Sequence, residues 1–357
     1  MTTAPTATDA RPARMRRPPG FLRFVARRLA ALVFLAIGIT AVTFVLTQLV
    51  PSNAVATNLG EQAAGDPAAV AVFKQHYALD KPLPQRYVIY LGHLVHGDLG
   101  QSSLTHDSVR HDLAQFIPAT AELALYSVLF ASIVGVAFGV LSALRRNRLT
   151  DHALRVTSLA GISMPTFWIA LVALYVGFYK LGWFPGADRL DPGTLPPPHV
   201  TGLYTIDALL AGDWSVFGQA LHHLVLPALV LAAFNVSLLT RFTRSAVLEV
   251  IGNDYVRAAR AKGLRERTVV RRYILRAALP AVITVLGLVF ANVLTGAVLV
   301  EKIFSWPGIG QYAYQAAVNL DVQAIAGVSI FVAIVYVTVN FIVDVLYGVI
   351  DPRIRLT

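Results

Sequence analysis

Cysteine is absent from this 357-residue chain, and charge is scarce. Without a thiol there is no disulfide framework, no thiolate metal site and no cysteine nucleophile, and cysteine usage says nothing about redox compartment. Only 14% of residues are charged, whereas an average soluble domain carries about 25%. Hydrophobic residues make up 56% and mean hydropathy is +0.61, so a water-exposed surface could not be covered and the apolar surplus must face lipid. No Gly-x-x-x-x-Gly-Lys-(Ser/Thr) phosphate loop occurs, so nothing of that kind cradles nucleotide here. His-Glu-x-x-His, Ser/His and two-Asp arrangements are missing from the apolar stretches, which disfavours an intramembrane enzyme. His93, His96, His106 and His111 share one segment, but their spacing is that of no compact metal-ligand set.

What the chain does have is long charge-free runs. A hydrocarbon core of about 30 Å needs roughly 20 apolar residues in a helix. Such windows fall at 29–50, 123–144, 156–179, 224–240, 281–300 and 322–343, the last continuing past Asp344 to about Ile350. They predict an all-α, polytopic membrane protein with six transmembrane helices. The fourth window is the shortest and is expected to place His222 and His223 at the interface. Of 30 Lys and Arg, 23 fall before the first span, around the turn after the second, in the connection after the fourth, and in the C-terminal tail. The positive-inside rule then puts both termini in the cytoplasm and turns the formal +10 into an orientation signal, with no nucleic-acid partner implied. The expected divisions are a disordered basic tail (1–20), a first transmembrane helix (21–50), an extracytoplasmic segment (51–118) and a core of five spans (119–357). The first apolar run exceeds a secretory h-region, so it is expected to be retained as a span.

Three connections carry more detail. In the outer segment, Tyr87, Tyr90, Leu91 and Leu94 recur at helical spacing, as in a helix lying in the membrane interface. In the third span, Pro165 predicts a kink. Glu122 and Asp344 stand at span edges, where an acid is either interfacial, paired with arginine, or part of an ion-coupling path. The basic connection 241–279 reads as helix, turn, helix. Asp254 is the expected N-cap, and Gly263 supplies the left-handed residue that ends the first helix. Ala258 and Ala259 beside Gly263 offer small side chains on which another protein's backbone could sit. A basic loop resting on anionic lipid remains the physical alternative.

At those residues the chain resembles the permease subunits of ATP-binding-cassette importers, whose signature is Glu-Ala-Ala, three residues, Gly, and later Leu-Pro. Arg257-Ala258-Ala259, Gly263 and Leu279-Pro280 occupy that order, with arginine in place of Glu and a longer interval between Gly263 and Pro280. Both departures are similar to the dipeptide, oligopeptide and nickel branch, where Asp254-Tyr255-Val256-Arg257-Ala258-Ala259-Arg260-Ala261-Lys262-Gly263-Leu264 is close to the common form. Leu79 to Tyr87, Gly97 to Ser102, Phe304 to Gly310 and Asp351 to Arg355 extend the resemblance over residues 21–357. It implies the type I importer permease fold in a prokaryotic inner membrane, and the first of two homologous permeases. The implied partners are that second permease, two cytoplasmic ATPases that bind ATP and Mg, an extracytoplasmic substrate-binding protein and membrane lipid. No cofactor is implied in this chain itself. The implied ATPase-coupling residues are Asp254, Tyr255, Arg257, Ala258, Ala259, Arg260, Lys262, Gly263 and Leu264. The implied cargo is a peptide, with nickel or another small solute as the alternative within the branch and ion-coupled secondary transport as the alternative outside it.

Overall fold

The computed structural model describes residues 19–49, 68 and 81–350. The expected N-terminal tail up to 18, most of 51–80 and the Asp351–Arg355 motif lie outside those residues. Among the described residues the chain is helical: α1 (Pro19–Leu49), α2 (Leu83–Val95), α3 (Val109–Leu144), α4 (Leu149–Ser163), α5 (Thr166–Ala173, extended by a π-helical turn Leu174–Lys180), α6 (Tyr204–Ala211) and α7 (Trp214–Ile251). Then follow α8 (Asp254–Ala261), the short α9 (Glu266–Thr268), a π-helical segment (Val269–Ile274), α10 (Leu275–Ile303), α11 (Ile309–Val318) and α12 (Val322–Ile350).

By length and composition, α3, α7 and the Val322–Ile342 part of α12 can each cross a membrane, and α4 with α5 forms a broken pair that can do so together. The chain is a multi-pass membrane protein. The break in that pair corrects the expected kink: α4 and α5 meet at 104°. Proline locks its own φ, lacks an amide donor and forces the residue before it out of the helical region. Met164 is accordingly extended (φ −84°, ψ 129°), and Pro165 becomes the N-cap of α5.

Helix α7 is the central element, packed against α3, α4, α5, α6 and α10. Its start is fixed by Asp213, whose carboxylate accepts from the amides of Ser215 (3.1 Å) and Val216 (3.0 Å). Small residues let α3 and α7 approach closely. A Cβ on Gly139 would lie 2.5 Å from Thr243 Cβ, and one on Gly135 would lie 2.6 Å from Leu239 Cβ. Leu123, Leu224, Leu231, Leu239, Val289, Val293, Phe304 and Trp306 belong to the main apolar cluster. The expected amphipathic helix is α2, but its tyrosine face turns onto α1: the Tyr87 and Tyr90 rings pack at a tilt against Phe44, and the Tyr87 hydroxyl donates to the Ile37 carbonyl (3.0 Å).

The two ends of the bundle are chemically distinct. One end carries Arg145, Arg146, Arg148 and the α7–α10 connection. The opposite end carries the connection between α5 and α7, and it is stapled down by buried polar groups. Glu122 of α3, expected at a span edge as either interfacial, paired with arginine or ion-coupling, is buried (1% exposed) and paired with arginine. Arg189 donates to Glu122 Oε2 (2.6 Å), and the Thr205 amide and hydroxyl donate to Oε1 (2.7 and 2.6 Å). His223, expected at the interface, is buried and hydrogen-bonds the Ala187 and Asp188 carbonyls (3.0 and 3.1 Å). The Asp344 side chain lies outside the described residues.

Candidate coupling site

Helix α8 is a two-turn element held between α7 and α9. Its sequence puts Val256 and Ala259, three apart, on one stripe. Both are buried, packed in a cluster with Ala143 of α3, Val247 and Val250 of α7, Val269 and Ile274 of the π-helical segment, and Ala278 of α10. This apolar plug joins α8 to three long helices at once. The opposite stripe is exposed and carries Tyr255, Ala258 and Lys262, with Leu264 just beyond the helix end.

The end of α8 is a Schellman turn. The Gly263 amide donates to the Arg260 carbonyl (2.9 Å), and the Leu264 amide reaches the Ala259 carbonyl (3.4 Å). Gly263 has φ +73°, where a side chain is strained, and open space lies where its Cβ would be. A fork of two hydrogen bonds closes the turn: Arg260 Nη2 donates to Glu266 Oε1 (2.6 Å) and Nε to Oε2 (3.2 Å). Those bonds hold the Glu266 carboxyl below the usual carboxylate range, with burial acting weakly in the other direction. Because the folded value is depressed, this tie is at full strength above the unfolded value of about 4.3 and is lost only as pH falls through the folded one.

The structure brings the nine expected residues into one element and its turn, but in two roles. Tyr255, Arg257, Ala258, Lys262 and Leu264 face outward. Ala259 faces inward and packs the plug, so the expected small-residue platform for a partner reduces to Ala258. The expected N-cap shifts by one residue: Asn253 occupies the cap position with no side-chain cap bond, and Asp254 lies in the first turn paired with Arg257. Arg260 is exposed but already engaged with Glu266, so its charge is partly spent within the chain.

Sequence reasoning missed a second anchor close by. Asp151, at the start of α4, is fully buried and accepts from Arg244 Nε and Nη2 of α7 (2.8 and 2.9 Å) and from Ser142 Oγ of α3 (2.5 Å). This bidentate pair locks α3, α4 and α7 beside the plug. Ninety-three residues separate its members, and no local spacing could have announced it. The tie between Arg260 and Glu266 did leave a signal, as opposite charges flanking a glycine turn.

The described residues of this arrangement hold no reactive constellation; they join a short, half-exposed helix to three long ones. A family model described as the inner membrane component of binding-protein-dependent transport systems matches residues 135–356, and the N-terminal model of the same components matches 21–124. The chain belongs to that family. Among relatives of this permease, the di/tripeptide transport system permease protein DppB of Pseudomonas aeruginosa is 44% identical, over 94% of this chain and 99% of its own length. The probable D,D-dipeptide transport system permease protein DdpB of Escherichia coli is 42% identical, over 94% and 98%. The dipeptide transport system permease protein DppB of Escherichia coli is 37% identical, over 94% and 99%. The permease is a transport component and not an enzyme.

Proposed function

We propose that this permease is one of two paired membrane subunits of a type I ATP-driven importer for short peptides, and that α8 with the Gly263 turn receives the push of a cytoplasmic ATPase. The observation that carries this reading is the build of α8: one stripe is buried against α3, α7 and α10, while the other is free to meet a partner. Near-full-length identity to di- and tripeptide permeases supports the cargo. ATP and Mg belong to the ATPases, and an extracytoplasmic binding protein delivers the peptide at the opposite end. Closure of the ATPase pair would displace α8, and the plug would pass that movement to the three helices it joins.

In this reading the six apolar windows of the sequence all cross a prokaryotic inner membrane, the third as the broken α4–α5 pair, and the basic end with both termini is cytoplasmic. Because the chain has no cysteine, single cysteines report orientation cleanly. Replacements of the exposed Gln101 and Asn319 should react with an impermeant thiol reagent in intact cells, and those of Gly252 and Arg146 only after permeabilisation. Reaction of the Gly252 replacement in intact cells would overturn the orientation.

The energy source is tested separately. The purified permease should bind no nucleotide, while ATPase subunits should co-purify with it and peptide uptake should require them. Uptake by a preparation lacking any ATPase would instead establish ion-coupled transport.

A further inference from the structure

Two open depressions are lined by residues that neighbour one another in the chain near the basic end, and neither is lined by the exposed stripe of α8. The first, about 680 Å³, is lined by Arg271, Arg272 and Arg276. All three are exposed, and among the described residues none has an ion-pair partner. Three acids of this end are committed elsewhere, Asp151 to Arg244, Asp254 to Arg257 and Glu266 to Arg260, while the exposed Glu249 is in no ion pair with the three arginines. The second is a shallow, open apolar groove of about 550 Å³ along α3, edged by Leu275 of α10 and lined by Ser132, Val136, Ala137, Val140 and Leu144, among others.

The two meet along the chain at 271–276. Leu275, which walls the groove, lies four residues after Arg271 and one before Arg276, so headgroup-binding charge sits within a turn of the apolar wall. Arg145 and Arg146, both exposed, follow Leu144 at the same end. From Leu144 to Ser132 the groove runs along α3 for about 18 Å at 1.5 Å per residue. One leaflet of a bilayer core of about 30 Å is close to that depth.

We infer that this pair of cavities is a binding site for an anionic phospholipid, with its phosphate among Arg271, Arg272 and Arg276 and an acyl chain along the α3 groove. Charge complementarity selects the headgroup, since unpaired guanidiniums favour a net-anionic headgroup over a zwitterionic or neutral one. The groove selects an amphiphile over a free phosphate. The site also borders the plug, because Val140 and Leu275 both line the groove and pack against the cluster that holds α8. A seated acyl chain therefore supports the wall of that cluster. The inference rests on the membrane-embedded reading and is independent of which protein docks on α8.

The test uses the assembled importer, reconstituted in phosphatidylcholine containing phosphatidylglycerol as the minor lipid and then re-extracted, with retained lipid measured by mass spectrometry. The wild type should retain phosphatidylglycerol in preference to phosphatidylcholine. Replacing the three arginines by glutamine should reduce that preference roughly a hundredfold, at about fivefold per charge. R272Q alone carries the same test, on a smaller scale, where the triple change disturbs assembly. A137W, which fills the groove without altering charge, should also lower retention, whereas R265Q/R267Q, outside both cavities, should not. Unchanged retention in R272Q and the triple variant would overturn the site. Loss in the arginine variants with full retention in A137W would reduce it to a phosphate site without an acyl groove, contrary to the inference. Loss of co-purifying ATPase in the arginine variants at unchanged lipid retention would assign the patch to a protein partner and sink the lipid reading.

Discussion

Arg189→Met is expected to destabilise the permease by about 3–5 kcal/mol, because it leaves the Glu122 carboxylate buried without its counter-charge. Arg189 is 6% exposed and Glu122 is 1% exposed, so water cannot take over the lost interaction. The guanidinium also donates to the Gly202 carbonyl (3.0 Å) and lies 3.4 Å over the Tyr204 ring, so three contacts of the α5–α7 connection fail together. Thermal unfolding of the assembled importer in detergent measures the loss. The double variant Glu122→Gln/Arg189→Met should recover much of it, since the uncompensated charge is then gone, while the Thr205 donors to Oε1 remain satisfied. A loss below about 1 kcal/mol in the single variant would show that the pair is not the staple described here. The same pair separates driven import from ion coupling. A carboxylate held by two Thr205 donors and a guanidinium is a fastener, so uptake by Glu122→Gln should fall only as far as its stability does. Abolished uptake at preserved stability would restore an ion-coupling role.

The periodic and local features were legible in the sequence, and the long-range polar ones were not. Charge-free windows located the long helices because lipid exposure writes itself as an unbroken apolar run. The helix, turn and helix of 254–275 were legible because a glycine after eight helix-forming residues has one common use. Which alanine faces inward was readable from the Val256 and Ala259 spacing, yet the small-residue motif drew attention to both alanines equally. Pro165 gave the position of a break but no angle, since the 104° turn is set by how α5 packs on α7 and α10. The 17-residue apolar window of the fourth span understated α7, a 38-residue helix, because the helix runs on at both ends through polar residues, among them the exposed Ser215, Arg241 and Glu249. Glu122 with Arg189 and Asp151 with Arg244 are pairings across 67 and 93 positions, and only the fold brings them together.

Ala258→Trp and Ala259→Trp should separate docking from folding, although the two positions are adjacent. Ala259 is 4% exposed and packed in the plug with Val256, Val247 and Ile274. An indole there overpacks a formed core, at about 1–3 kcal/mol or more, so stability, ATPase association and uptake should all decline. Ala258 is exposed, and the fold accommodates a larger side chain, so Ala258→Trp should leave thermal unfolding unchanged. If the outward stripe of Tyr255, Ala258 and Lys262 meets an ATPase, the same indole obstructs that contact. Co-purification should then drop by one or two decades, each decade corresponding to about 1.4 kcal/mol, with uptake falling in parallel. A loop that merely rests on anionic lipid predicts the opposite, since tryptophan is favoured at a membrane interface. Neutralising Arg265 and Arg267 should matter less than Ala258→Trp in the docking reading, as exposed charges contribute about 1 kcal/mol or below. Normal co-purification and uptake with Ala258→Trp, set beside a clear defect in the Arg265/Arg267 double variant, would transfer the role of this loop from ATPase coupling to lipid contact.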